Sequence, residues 1–381
     1  MNIAISPSTL AKVFRDTKPF ARHARGLLPG EPPPRERRSR ARYGTLTSVR
    51  PKRWGLTVPL NGISLPDHER VFREAEALGY TDFWSAEADS DPWIVLALGA
   101  AWTSRATLGT AIVGAFTRGP AIIAMGAQAM SEVAPGRFCL GIGSGSNVTV
   151  ERWNGGQFAR PLTRVTDVVR AVRQALDGEQ VNVEGQTLTV SGFRLGRPVP
   201  SRIPIYVAAL QERMLRQAVR IADGVITNWL SPEDVTRVVA VVHDEARKVG
   251  KDPAAIEIIA RLSVCPTTDR RAREQYRRAV TAYLNVPVYR QFHQWLGRGE
   301  ALRPMNERWE AGDRKGALAA VPPGVVDELG VFGTPDECRA RVAAYVAAGI
   351  TVPVLNFMNL EQDAAARGRE SLAMLQALAP A

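Results

Sequence analysis

The chain has 381 residues, 45% hydrophobic and 23% charged, which is the composition of an ordinary globular protein and excludes a fibrous or wholly disordered one. It holds no run of about 18 apolar residues, so no transmembrane helix is expected; its three scattered cysteines and four histidines have neither disulfide-scaffold nor metal-ligand spacing. The formal net charge of +11 belongs to the start of the chain: residues 1–53 carry 13 Lys/Arg and 3 Asp/Glu, leaving 36 of the 49 basic and 35 of the 38 acidic residues to 54–381.

That first segment contains Pro32-Pro33-Pro34 and an arginine-rich run from Arg35 to Arg42. Such composition cannot bury enough apolar surface to offset the entropy of ordering, so residues 1–50 are expected to form a disordered basic tail. A solvated extension is the plainest reading of it. A basic arm touching nucleic acid or an anionic surface, and a targeting peptide, compete with it; no apolar h-region follows the arginines, which weakens the last. The charge-balanced remainder, 51–381, is not expected to bind nucleic acid.

From Trp54 onward, short β-branched runs alternate with amphipathic stretches. A first strand is predicted at Trp54–Leu60, followed by a helix with Val71, Phe72, Ala75 and Leu78 on one stripe. Strands follow at Asp82–Ala86, Thr107–Val113 and Phe138–Gly143, then a helix with the stripe Val165, Val168, Val169, Val172 and Leu176. Val181-Asn182-Val183 and Thr187-Leu188-Thr189-Val190 flank the turn signal Glu184-Gly185-Gln186 and read as a hairpin. Strands resume at Ile203–Ala208 and Gly224–Asn228, and Ser231-Pro232-Glu233-Asp234 opens a helix that stops near Gly250. A strand at Ile256–Cys265 precedes a second insertion, about Tyr283 to Thr334, rich in Arg, Pro and Gly. Thr334-Pro335-Asp336-Glu337 is a helix start with a capping-box Glu, Gly349 its stop, and Val352–Phe357 the eighth strand. Several strands are nearly continuous apolar runs, as strands covered on both faces are. Eight of them alternating with helices favour a closed parallel (β/α)8 barrel. Active sites of such barrels lie at the C-terminal ends of the strands, so both insertions are candidate lids.

The chemistry-bearing candidates sit at those ends. Gly141-Ile142-Gly143-Ser144-Gly145-Ser146-Asn147 is a glycine-rich loop whose amides could meet an anion or a flat ring; it lacks the dinucleotide and P-loop patterns, and a tight turn is the plain alternative. Tyr206-Val207-Ala208-Ala209-Leu210-Gln211 runs from a strand into a helix N-terminus, open to a phosphate or simply an ordinary turn. Glu87 could move a proton or hold substrate, or be a loop acid paired with an arginine. Asp89 and Asp91 read as loop and helix-cap residues. Asn154 is either a ligand for cofactor or substrate or a turn residue before Gly155, and Trp153 either a pocket wall or lid packing. No serine-hydrolase elbow is present, Cys139 and Cys265 lie inside strand-like runs, and no acid has the company a metal site needs.

One ordered set of motifs spans the body: Glu74-Ala75-Glu76-Ala77-Leu78-Gly79-Tyr80 leading to Trp84-Ser85-Ala86-Glu87, Leu108-Gly109-Thr110-Ala111-Ile112-Val113 with Thr117-Arg118-Gly119-Pro120, Ala134-Pro135-Gly136-Arg137-Phe138 with Leu140-Gly141-Ile142-Gly143, Val150-Glu151-Arg152-Trp153-Asn154-Gly155 with Arg160-Pro161-Leu162, Ala222-Asp223-Gly224, and Phe332-Gly333-Thr334-Pro335. In this set the chain resembles the luciferase-like monooxygenase superfamily, and within it the coenzyme F420-dependent oxidoreductases. The resemblance implies a TIM barrel with a deazaflavin, or alternatively FMN, in its mouth. It also implies a non-proline cis peptide at Ala111-Ile112 behind the ring, cofactor contacts from Gly143, Ser144 and Asn147, and a phosphate turn at Val207, Ala208, Ala209, Leu210 and Gln211. Glu87 falls where related dehydrogenases place a catalytic His, and Ser144 where they carry a catalytic acid, so a sugar-phosphate dehydrogenase is disfavoured and Glu87 becomes the candidate catalytic residue. The expectation is hydride transfer between F420 and a small organic substrate in a cytoplasmic homodimer, with Trp153 and Asn154 in the substrate pocket. An FMN-dependent oxygenase, and a cofactor-free barrel or inactive partner subunit, are the alternatives.

Overall fold

The computed structural model describes residues 53–88 and 90–380. The tail expected at residues 1–50 and the loop residue Asp89 lie outside the described residues.

Eight strands run in chain order: β1 (Gly55–Thr57), β2 (Asp82–Ser85), β3 (Thr107–Thr110), β4 (Phe138–Gly143), β5 (Ile205–Ala208), β6 (Gly224–Asn228), β7 (Glu257–Cys265) and β8 (Val352–Phe357). Each pairs in parallel with the next, from Gly55↔Asp82 at β1–β2 to Ile259↔Val352 at β7–β8. β8 pairs with β1 through Val354↔Gly55, which closes the ring. The protein is therefore a (β/α)8 barrel. All eight predicted strands are present, and none was missed among the barrel staves. Two are cut short where the backbone leaves the ladder. Val58-Pro59 is a cis X-Pro bond just past β1, where Pro59 has no N–H to offer. Ala111-Ile112 is a cis non-proline bond just past β3, and the predicted strand resumes as the short stretch Val113–Gly114.

Side chains alternate across each strand, so every second residue enters the barrel. At the entry end, Arg53 pairs with Asp82 and with Glu257 at 2.6 Å, and the Tyr206 hydroxyl donates to Glu257. Above them Trp84, Cys139, Tyr206, Ile226, Ile259, Val352 and Val354 fill the interior. Gly109 makes room for the Trp84 ring, since a Cβ there would lie 2.4 Å from it. The other strand face packs on the helices. Val71, Phe72 and Ala75 of His68–Ala77 are buried, as are all five stripe residues of Pro161–Leu176. Both expected helix starts are capping boxes, Ser231 with Asp234 and Thr334 with Glu337.

Both insertions differ from a bare loop. The first contains the expected hairpin, Val181–Glu184 against Thr189–Phe193. The second, unreadable from its composition, is four helices: Pro287–Trp295, Gly299–Glu310, Arg314–Ala319 and Pro323–Leu329. The last three pack with Tyr276, Val280 and Leu284 of the preceding stretch into a small core that includes Leu302, Met305, Ala317, Val321 and Val325, while Phe292 of the first joins the barrel core.

Candidate active site at the barrel mouth

The C-terminal ends of β3, β4 and β5 form a wall of small residues. Gly143 ends β4, and a Cβ built on it would lie 2.9 Å from the Ile112 side chain and 3.0 Å from the Ala208 Cβ. Ile112, Gly143 and Ala208 therefore converge on one spot, and no side chain on Gly143 would fit between the other two. The cis peptide positions Ile112: Ala111 N–H donates to the Ser85 carbonyl at 2.7 Å, and Glu87 N–H donates to the Ile112 carbonyl at 3.0 Å.

Glu87 braces the same segment with its side chain. Its Oε2 accepts from Gly114 N–H at 2.9 Å and from Arg118 Nε at 3.2 Å. Arg118 also holds Asp91 at 2.6 Å, and Asp91 caps the helix Pro92–Trp102 through Trp93 N–H and Ile94 N–H. Burial alone would push the Asp91 carboxyl up, but the Arg118 bond and charge outweigh it and hold Asp91 below the usual carboxylate range. The same acids lift Arg118 above the ordinary arginine value against its burial. Glu87 is thus one corner of a three-residue charged network, with Oε1 outside these bonds.

Beyond β4 the glycine loop continues into a six-residue π-helix, Val148–Trp153, a form that favours functional sites. Ser146, not Asn147, supplies the local cap: its Oγ accepts from Thr149 N–H at 3.1 Å. Ser144 donates back to the Gly145 carbonyl, and Asn147 is exposed. Asn154 ends the π-helix and its side-chain amide donates to the Thr149 carbonyl at 2.7 Å, while Trp153 is 64% exposed.

The β5 turn divides by alternation. Val207 and Ala209 are buried in the helix-facing core, and Ala209 N–H is spent on the Ile226 carbonyl at 2.9 Å; Ala208 is the one that faces the mouth. Gln211 precedes the helix Glu212–Ile221 without capping it through its side chain, so the first-turn amides stay available. The Gln211 amide reaches instead to the Val288 carbonyl at 3.2 Å and to Gln291 at 3.1 Å, tying the second insertion to this helix start.

The far side of the mouth is polar, and the sequence reading missed it. Arg261 on β7 donates to Asn356 Oδ1 on β8 at 2.7 Å and to Thr57 Oγ1 on β1 at 3.3 Å. Asn228 ends β6, beside Arg261 in register, and hydrogen-bonds the Tyr289 hydroxyl of the second insertion. A usable signal was present: Arg261 interrupts an apolar strand at an inward position, and Thr57, Asn228 and Asn356 all lie at the C-terminal ends of strands.

The family profile described as luciferase-like monooxygenase matches residues 41–352. The chain belongs to the luciferase-like monooxygenase family. Its relatives include a 5,10-methylenetetrahydromethanopterin reductase of Archaeoglobus fulgidus, 29% identical over 74% of this chain and 87% of that protein. A second such reductase, from Methanolobus tindarius, is 27% identical over 73% and 86%. Among solved structures, the coenzyme F420-dependent tetrahydromethanopterin reductase of Methanopyrus kandleri superposes with a TM-score of 0.68 at 23% identity, covering 86% of this chain and 97% of that one. This luciferase-like chain therefore shares the fold of its barrel, and not only a motif, with the Methanopyrus kandleri protein. Among its described residues no helix is long and apolar enough to cross a membrane.

Proposed function

We propose that this chain is an F420-dependent oxidoreductase that transfers a hydride between the deazaflavin and a small organic substrate. The observation that carries the reading is the wall of Ile112, Gly143 and Ala208 at the C-terminal ends of β3, β4 and β5, packed so closely that no side chain on Gly143 would fit between the other two. The names of the relatives, F420-dependent or methylenetetrahydromethanopterin reductases, support the deazaflavin over FMN.

The residues present fit the group. Bound against that wall, the deazaflavin supplies or accepts the hydride. The amides of the Gly143–Asn147 loop and of the first turn of Glu212–Ile221 hold its phosphate end, with Leu210 and Gln211 setting the approach. Glu212 in that turn pairs with Arg216 at 2.8 Å, which also holds Asp244 and Glu245. Ala111 and Ile112 back the ring, Trp153 and Asn154 border the substrate, and the helical insertion narrows the entrance against water. Glu87 moves the accompanying proton at Oε1, while Gly114 N–H and Arg118 fix Oε2.

We further propose a homodimer. Ile122, Met125 and Val133 fall on one stripe of Pro120–Val133, and with Ile94 of the neighbouring helix they leave large apolar side chains 44–57% exposed.

Parallel titrations of the purified protein with F420 and FMN, each oxidised and reduced, test the function. Tight F420 binding with weak FMN binding is expected. Preference for FMN would move the assignment to an oxygen-using monooxygenase, and binding of neither would leave a cofactor-free barrel or an inactive partner subunit.

A further inference from the structure

β6 ends at Asn228, and the next residue leaves the strand in a strained way. Trp229 has a φ of 55°, a left-handed conformation that a bulky side chain rarely adopts. Strain of this kind persists only where the surroundings fix it, and it concentrates at ligand clamps and active sites. Here the surroundings are an aromatic stack. Trp229 lies on Tyr276 at 5.5 Å, 5° from parallel, and on Tyr283 at 4.9 Å, 29° from parallel. Both tyrosines belong to the helix Arg270–Tyr283, which follows β7. They are seven residues apart, about 10 Å along the helix axis, which is the gap one stacked ring fills between two others. The indole therefore has a tyrosine on each face.

The stack is closed at one end and open at the other. Tyr276 is 2% exposed and donates its hydroxyl to the Leu329 carbonyl at 3.0 Å, whereas Tyr283 is 49% exposed. Tyr289 stands edge-on to Tyr283, with ring centroids 5.9 Å apart and planes at 80°, and its hydroxyl bonds Asn228. Ile226 lines the barrel interior and pairs with Ala208 of the small wall. Asn228, two residues on, is therefore the next inward position above that wall. The open end of the stack thus has Tyr283 as a floor and Tyr289 as a side, and Asn228 ties it to the barrel mouth.

We propose that Tyr283 is the platform for a planar aromatic ring of the substrate, which becomes the fourth member of the Tyr276–Trp229–Tyr283 stack with Tyr289 at its edge. A flat ring gains an offset stacking contact there; a saturated ring of the same size is puckered, has no π face and gains only apolar contact. The inference rests on the proposed F420 reading for the ring's belonging to a substrate; the platform itself is a property of β6 and the helix after β7.

The test uses the full chain, with and without bound F420. Calorimetric titration compares benzamide and 2-naphthamide with cyclohexanecarboxamide and decahydro-2-naphthamide, neutral pairs that differ in ring saturation. 2-Naphthamide is expected to bind at least ten times more tightly than its saturated counterpart, and F420 loading should change its affinity less than threefold. Tyr283→Leu, which keeps an apolar side chain and loses the flat face, should reduce the preference to within twofold while F420 affinity changes less than threefold. Tyr283→Gln, suited to an exposed helix end, should do the same in a folded protein, and Tyr283→Phe should keep the preference. Equal binding of aromatic and saturated amides, or a preference that survives both Tyr283→Leu and Tyr283→Gln, would overturn the inference. Loss of 2-naphthamide binding on F420 loading would place the ligand in the cofactor's seat and overturn it as well. Because the unloaded protein is measured too, a chain that prefers aromatic amides but fails to bind F420 would refute the cofactor reading and leave the platform standing.

Discussion

The replacement of Gly143 by Ala probes the small wall directly. The new methyl carbon would lie 2.9 Å from Ile112 Cγ1 and 3.0 Å from the Ala208 Cβ. Ordinary contacts between carbons are about 3.5–4.0 Å, so the overlap is roughly half an ångström or more on both sides. Ile112 can turn its side chain away, but the Ala208 Cβ moves only with the backbone of β5. Overpacking of this kind costs about 1–3 kcal/mol of stability. The residues it displaces, Ile112 and Ala208, are the surface proposed to back the ring, so F420 affinity should fall at least tenfold, which is about 1.4 kcal/mol. Gly136→Ala is the matched control. Gly136 lies before the entry end of β4 with a φ of 71° and nothing within 4 Å of its virtual Cβ. A left-handed alanine costs about 1–2 kcal/mol without a clash, so stability should fall similarly and F420 binding should not change. Urea unfolding and F420 fluorescence titration measure the two quantities. If Gly143→Ala binds F420 within threefold of the parent while losing as much stability as Gly136→Ala, the wall is packing and not a ring site.

Glu87→Gln keeps an oxygen for Gly114 N–H but removes the charge that faces Arg118, a pair with side chains 22% and 20% exposed. Stability should drop by about 1 kcal/mol or less, whereas turnover should fall about 100-fold; unchanged single-turnover rates would remove Glu87 from proton transfer. Acid should destabilise the fold through two buried histidines. His68 accepts from Leu60 N–H at Nε2 and donates from Nδ1 to the Ser64 carbonyl, so burial and a filled acceptor hold it below the ordinary histidine value. Burial, and then Arg298, push His293 down to about 3, and neither of its ring nitrogens meets a hydrogen-bond partner among the described residues. Both are neutral in the fold and protonate when unfolded below pH ~6.5, so their contribution is complete above that pH and declines as pH falls. His293 alone should cost about 2 kcal/mol by pH 5. His293→Leu should flatten the profile between pH 7 and 5, and an equally steep profile in that variant would contradict the assignment. Light scattering of Ile122→Lys/Met125→Lys should report half the mass of the parent; a parent that is already monomeric, or a variant of unchanged mass, would refute the proposed interface.

The strand alternation explains both the gains and the misses in the site. Gly143, Ile112 and Ala208 were nominated from separate motifs, and the barrel does bring them together. Val207 and Ala209 were nominated with Ala208 as part of one phosphate turn; in a strand neighbours face opposite ways, and the side chains of both are buried against the helices. Asn154 reads from sequence as a ligand or a turn residue, and its side-chain amide donates to the Thr149 carbonyl within the turn. The π-helix around it left no periodic trace, since six residues are too few to show one.

The eight staves and their closure were legible from the chain because burial on both faces of a strand and on one stripe of a helix writes itself into hydrophobic spacing. The helix starts at Ser231 and Thr334 were legible because a cap is a local bond between residues three apart. The four helices between Tyr283 and Thr334 were not, because they are short and most of their apolar residues serve a small core beside the barrel, shared with Tyr276 and Val280. Least visible was the wall of Arg261, Asn356 and Thr57. Asn356 and Thr57 lie 95 and 204 positions from Arg261 along the chain, and no local pattern joins them. Only ring closure, which sets β8 beside β1 and β7 opposite β3, turns three isolated polar residues into one face of a site.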